Sequence, residues 1–379
     1  MKGMFLYVTA GKGHQVPAEA LRNAMLKLGH EAVSYDMFEM LNLPKIKKLV
    51  EKSWQNMLHF PPGERVGDRL VDTKMNSKLM AAITKNYPVM KKAFLAAMEK
   101  EKPDFILGTH YFISPIIVSL VQECGISVPV FGYAPDIFFY PNIGISKKLD
   151  KLYVPSELGI DWCVRMGFST DQLAICPFPL KQSIEDYPSL SKEEARKKLE
   201  LSVDSYTILV NLGGEGIGNT RLVTLLAREK VPCQVVVVGK MSPDTEKRYL
   251  NFRSKHPFFH LFTPGFVNNM NDYICACDVQ IGKAGANSLM ESLYLHRPFI
   301  ITEQLYASER TELFFKQHHV GEVENLLEKQ VKLLERYRTD MELQADVAEA
   351  FTCLPLSFGS KKFISQILSD TEKWDAAHR

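Results

Sequence analysis

The sequence predicts an α/β protein of two domains, each built on a parallel sheet. Three observations carry this. The chain has 379 residues, and a prior of about 100–200 residues per domain gives two. Short apolar runs alternate with segments of helical period, the signature of parallel strands joined by crossover helices. Glycine-rich stretches follow several of those runs, where a strand turns into a helix.

Composition fits. Apolar residues make up 46% and charged residues 24% of the chain, enough to bury a full core in each domain. Lys plus Arg number 46 against 44 Asp plus Glu, a net charge of +2. That balance argues against nucleic-acid binding driven by bulk charge. The seven cysteines are scattered and form no CxxC pair, so neither a disulfide framework nor a zinc knuckle is expected. No apolar run is long enough to span a bilayer. The run from Met1 to Thr9 is too short for a signal peptide and reads as a strand. A cytoplasmic protein, free to touch a membrane from one side, is expected.

In order, strands are predicted at Met4–Val8, Glu31–Tyr35, Asp104–Gly108, Val128–Tyr133 and Leu152–Val154 in the first half. Thr207–Asn211, Val235–Val238, Val279–Ile281 and Pro298–Ile301 follow in the second. Leu21, Met25 and Leu28 fall at i, i+4 and i+7 on one face of an early helix. Residues 178–193 hold two prolines and three serines with little apolar period and mark the boundary. Ser191 with Glu194 three residues on has capping-box spacing and opens the next helix.

Three loops could hold phosphate. Gly11-Lys12-Gly13-His14 follows the first strand and precedes a helix. Val16 stands where the dinucleotide fingerprint needs its third glycine, so a nicotinamide reading fails. On local pattern, a tight turn without ligand is an equal alternative. The second loop, from Gly213 to Asn219, has four glycines in six residues, more than a turn needs. The third, Gly282-Lys283-Ala284-Gly285-Ala286-Asn287-Ser288, opens a helix with amide and hydroxyl donors. Glu291, about one turn further on, could accept hydrogen bonds from a ribose diol or simply complement the helix dipole. Loops at the carboxyl ends of two sheets, facing each other, would make one ligand cleft.

The ordered set Gly11-Lys12-Gly13-His14, Asp104…His110, Asp136, Tyr153-Val154-Pro155-Ser156-Glu157, Gly213-Gly214-Glu215-Gly216, Gly239-Lys240, Gly265-Phe266-Val267 and Cys277-Asp278…Lys283-Ala284-Gly285…Glu291, then Ser308-Glu309, resembles the glycosyltransferase family 28 proteins. The matching branch is that of the monogalactosyldiacylglycerol synthases and processive diacylglycerol glucosyltransferases. The resemblance implies a GT-B fold, two Rossmann-like domains facing each other across a cleft. Residues 1–180 would bind the acceptor and face the membrane, and residues 181–360 would bind the nucleotide sugar. A C-terminal helix, 361–379, would pack back onto the first domain. The implied activity is inverting transfer of a hexose from a UDP-sugar to a diacylglycerol-type lipid at the inner face of the cell membrane, without metal or other cofactor.

Carried over by position, His14 or Asp136 would take the acceptor proton. Gly265, Phe266 and Val267 would border the uracil, Asn287 and Ser288 the diphosphate, and Glu291 the ribose. Gly11, Gly13, Gly213, Gly214, Lys283, Gly285 and Glu309 complete the expected donor contacts. Ser308 and Glu312 stand where the family often has Gln and Asn at the sugar hydroxyls. A polyprenyl-linked or soluble acceptor, or a non-catalytic nucleotide-sugar-binding protein, are therefore the alternatives.

Residues 44–70 mix Lys45, Lys47, Lys48, Lys52, Arg65 and Arg69 with Trp54, Met57, Leu58 and Phe60. Such a segment suits an anionic membrane surface.

Overall fold

The structure, a computed structural model, describes residues 1–9, 12–59, 86–138, 140–141, 146, 148–188, 190–213, 220–283, 285–303 and 309–378, with side chains 53–59, 220, 303 and 309 left aside. The chain divides into two compact units. One is Met1–Glu185 with Pro355–Arg379, the other Asp186–Leu354.

The first unit holds a six-stranded sheet in the order β2-β1-β3-β4-β5-β6. Its strands are β1 (Lys2–Tyr7), β2 (Glu31–Asp36), β3 (Phe105–Gly108), β4 (Val130–Tyr133), β5 (Lys151–Val154) and β6 (Leu173–Ile175). Every pairing is parallel. Met4, Phe5 and Leu6 in β1 are fully buried, as expected of a parallel strand covered on both faces. The chain leaves β1 to one side for β2 and returns to the other side for β3. The loops after β1 and β3 therefore diverge and leave a crevice at the carboxyl ends.

The helix Gln15–Lys27 buries Leu21 and Met25. Leu28, expected on the same face, is instead the C-cap and stays exposed, because the helix stops at Lys27. The helix Ser360–His378 lies in the same layer. Its Phe363, Ile364 and Ile367 cluster with Phe5, Leu21, Met25, Tyr133 and Tyr153. The Tyr153 hydroxyl donates to Asp370 at 2.9 Å and the Trp374 indole N–H to Asp150 at 2.8 Å. The opposite face is covered by Phe94 and Met98 of the helix Tyr87–Glu101 and by Ile113, Ile116, Ile117 and Leu120 of the helix Ile113–Glu123.

The second unit repeats the plan in the order β12-β11-β10-β7-β8-β9. The strands are β7 (Thr207–Asn211), β8 (Gln234–Val238), β9 (His260–Gly265), β10 (Val279–Lys283), β11 (Phe299–Glu303) and β12 (Gly321–Val323), again all parallel. Here the crevice falls between β7 and β10. The expected capping box forms: the Glu194 N–H donates to Ser191 Oγ at 3.2 Å and the Ser191 N–H to the Glu194 carboxylate at 2.9 Å.

Three strands escaped the sequence reading, β6, β9 and β12, and all three are sheet edges. Edge strands are short and carry proline and polar residues. β6 and β12 have three residues each, and β9 includes Pro264. Among the described residues no helix is long and apolar enough to cross a membrane.

Candidate active site

Three side chains gather at the carboxyl end of the first sheet. His14 follows β1, His110 follows β3 and Asp136 follows β4, on three adjacent strands. His14 is the N-cap of the helix Gln15–Lys27 and is 9% exposed. Its Nδ1 lies 2.9 Å from the Thr109 carbonyl oxygen. A carbonyl only accepts, so Nδ1 carries the proton and Nε2 of the neutral ring keeps its lone pair. Thr109 is fixed in turn, its hydroxyl donating to the His14 carbonyl at 2.7 Å.

His110 packs against His14 with ring centroids 4.2 Å apart and against Tyr111 at 4.1 Å. Its Nδ1 accepts the Phe112 N–H at 3.1 Å, which puts its own proton on Nε2. Burial, and then the neighbouring His14, hold the His110 pKa well below 6.5.

Burial lowers the His14 pKa from 6.5, opposed first by the Asp136 charge and then by the Thr109 carbonyl. Burial raises the Asp136 pKa from 3.8, opposed by His14. His14 is thus a neutral base near pH 7, and the pair is coupled. A base with a depressed folded pKa supports the fold above its unfolded pKa, and that support is lost as pH falls through the folded value. For activity the same sign holds. The acid limb of kcat/KM should lie below pH 6.5, and Asp136→Asn, which removes a raising influence, should move it lower still. A pH–rate profile of both proteins checks this, and an acid limb displaced upward would contradict it.

At the carboxyl end of the second sheet the backbone forms a shelf of glycine. Gly213, Gly239 and Gly265 end β7, β8 and β9 with φ of +66°, +121° and +79°. The Gly239 N–H donates to the Gly265 carbonyl at 2.9 Å and the Lys240 N–H to the Gly213 carbonyl at 3.0 Å. A Cβ on Gly239 would stand 2.7 Å from the Gly213 oxygen, so this close approach requires glycine.

Across the crevice, the β10–β11 register shifts between Gly282 and Lys283, a bulge that re-aims the end of the strand. Gly285 is the N-cap of the helix Ala286–Tyr294, with no side chain capping it. Asn287 and Ser288 sit in its first turn, half-buried, where backbone N–H groups lack intrahelical partners. From β10 through β7 and β8 to β9 is three strand intervals, roughly 14 Å. At the β9 end Phe266 stands 64% exposed, and Val267 packs on the core.

The remaining expected residues fall as follows. Gly13 lies in the turn between β1 and the helix Gln15–Lys27, where a side chain would meet open space. Glu291 is 6% exposed on the inner side of the helix Ala286–Tyr294. Gly11 and Gly214 lie outside the described residues, and so does the side chain of Glu309, the first residue of the helix Glu309–His318. The sequence reading missed Thr109, and it noted His110 and Gly239 without giving them a role. The alternation of glycine with strand ends was the available signal for Gly239.

A cavity of about 1250 Å³ opens at the other, amino-terminal end of the second sheet, beside Lys230, Lys255 and Arg338. None of the expected site residues lines it. Lys230 and Lys255 lie at the carboxyl ends of the helices Thr220–Arg228 and Pro243–Lys255, where cations complement the helix dipole.

Residues 225–351 match the glycosyltransferase family 28 C-terminal domain. The processive diacylglycerol beta-glucosyltransferase of Staphylococcus saprophyticus is 22% identical over 273 residues, 71% of this chain and 68% of that protein. Monogalactosyldiacylglycerol synthase 2 of Arabidopsis thaliana is 24% identical over 327 residues, 81% of this chain and 67% of that protein. The chain carries a segment that matches the family 28 C-terminal domain and is similar to these lipid glycosyltransferases. Among solved structures, Anabaena HepE in complex with UDP superimposes with a TM-score of 0.59 at 12% identity, covering 98% of this chain and 100% of that one. At that identity the likeness speaks for the fold, and the fold is GT-B: two doubly wound parallel sheets, as the sequence predicts.

Proposed function

We propose that the enzyme transfers a hexose from a UDP-sugar to the hydroxyl of a diacylglycerol-type lipid, with inversion, at the inner face of the cell membrane. One observation carries the reading. His14 is held neutral with Nδ1–H on the Thr109 carbonyl, which leaves Nε2 to accept a proton. The acceptor oxygen attacks the anomeric carbon, its proton passes to His14 Nε2, and the bond from that carbon to the diphosphate oxygen breaks. UDP leaves with the electron pair.

Asp136 supports the imidazolium that forms, since its charge favours protonated His14. The N–H groups at the start of the helix Ala286–Tyr294, with Lys283, would meet the charge on the departing diphosphate. Phe266 offers an exposed face for the uracil. The shelf of roughly 14 Å between them suits an extended nucleoside diphosphate. UDP in the HepE complex and the diacylglycerol lipids in the names of both relatives support the same reading. It needs no cofactor beyond the donor.

The membrane contact is assigned to the helix Pro44–His59. Lys45, Lys48, Leu49 and Lys52 fall on its outward face, with Leu49 59% exposed and Ile46 buried behind. Lys47 is tied to Glu39 and Glu51 and is less available. Residues 60–70 of the basic segment lie outside the described residues.

The test is a panel of UDP-sugars with mixed lipids, read for released UDP and new glycolipid by mass spectrometry. Glycolipid formation is expected. A product on a polyprenyl-linked or soluble acceptor alone, or UDP binding without transfer, would overturn the reading. Reversing Lys45, Lys48 and Lys52 to Glu should cut sedimentation with phosphatidylglycerol vesicles by about 100-fold or more, at roughly 1 kcal/mol per removed lysine. Unchanged sedimentation would remove this helix from the membrane contact.

A further inference from the structure

The turn that carries Asp136 is held in an unfavourable shape. Ile137 has φ +43°, and among the described residues it is the one β-branched residue in the left-handed region. For such a side chain that conformation is a true outlier. The Phe138 N–H closes onto the Asp136 carbonyl, a three-residue turn of the rarer, strained hand.

What holds this turn comes from a different part of the chain. Ser156 Oγ donates to the Ile137 carbonyl at 2.7 Å. The same oxygen accepts the Gly159 N–H at 3.1 Å as N-cap of the helix Glu157–Met166. Ser156 is 3% exposed, so water does not compete. Gly159 makes the approach possible, because a Cβ there would collide with the Ile137 oxygen. One hydroxyl therefore ties the start of a helix to the residue next to Asp136.

We infer that Ser156 is a positioning residue, assisted by Gly159, which latches the turn so that the Asp136 carboxylate stays beside His14. The inference rests on the proposed roles of His14 and Asp136. A helix needs only an N-cap acceptor, and aspartate or asparagine would serve it as well. The second bond requires a donor, and a hydroxyl supplies both in one atom. Without the latch the turn can relax to an ordinary backbone conformation and the carboxylate swings with it.

The experiment is a double-mutant cycle on the full chain, with turnover, UDP affinity and the pH profile as readouts. Ser156→Ala is expected to lower kcat about tenfold, to leave UDP affinity unchanged, and to move the acid limb downward, as Asp136→Asn does. Burial, Asp136 and the Thr109 carbonyl set this limb, the His110 and Tyr111 rings pack against His14, and the Asp136 charge also reaches Tyr133. In an Asp136→Asn background Ser156→Ala should cost little more, since its effect runs through the carboxylate. Ser156→Thr, which keeps donor and acceptor, should restore turnover. Ser156→Asp, which caps the helix without donating, should not.

Should Ser156→Ala fold poorly, Gly159→Ala perturbs the same contact from the helix and must show the same dependence on Asp136. An equal loss in both backgrounds, or no loss in either, overturns the latch. Full activity of Asp136→Asn itself would instead overturn the role of Asp136, a result distinguishable because it needs no change at Ser156.

Discussion

Replacing His14 with alanine is expected to lower turnover by about 100-fold or more, the usual scale for a general base, while UDP binding stays intact. The two readouts separate because His14 belongs to the first unit and the glycine shelf to the second. Alanine also strands the Thr109 carbonyl, which loses the donor now 2.9 Å away, at a cost of about 1–3 kcal/mol. His14→Asn answers that difficulty. Its amide can donate toward Thr109 yet offers no base, so it should be as inactive as alanine and more stable. Single-turnover kinetics with calorimetric UDP titration decide the matter, and wild-type turnover in either variant would remove His14 from proton transfer.

Gly239→Ala should damage the second unit directly. The added Cβ meets the Gly213 oxygen at 2.7 Å and its nitrogen at 2.9 Å, and both are backbone. The φ of +121° is also one that L side chains rarely adopt. Strain of this kind costs of order 1–3 kcal/mol per site, so a melting temperature lower by several degrees is expected. UDP affinity should fall tenfold or more as Gly213 is displaced. Gly285→Ala is the contrast. Its φ is −93° and nothing lies within 4 Å of a Cβ there. The fold should tolerate it, and any loss of UDP affinity would then report a phosphate close to that backbone. Identical melting temperatures for Gly239→Ala and wild type would show that the shelf yields more easily than its geometry implies.

How much of this was legible in the sequence depends on how local the cause is. β8 reads Gln-Val-Val-Val-Val and is buried throughout, because a central parallel strand must be apolar on both faces. The capping box at Ser191 was equally plain, since donor and acceptor lie three residues apart. Three of the four edge strands, β6, β9 and β12, were not, because an edge needs no apolar run to form.

At the site, the glycine loops signalled where backbone could meet a ligand. The tautomer of His14 was invisible, since it depends on the Thr109 carbonyl 95 positions away. Ser156 stood in the sequence only as part of the run of residues 153–157; its cap of the helix Glu157–Met166 and its bond to Ile137 appear only once β4 and β5 are laid side by side. Family resemblance supplied the roles expected of Asn287, Ser288 and Glu291, which residue chemistry alone left open.

The packing of the helix Ser360–His378 into the first unit has a consequence for synthesis on the ribosome. The second unit is one uninterrupted stretch, Asp186–Leu354, and all its residues are made before the helix Ser360–His378. The first unit begins to be made earlier yet lacks Phe363, Ile364 and Ile367 until the whole second unit has been made. A chain cut short before Ser360 would therefore carry an intact second unit and an unsealed first unit, and with it an apolar surface that quality control can recognise.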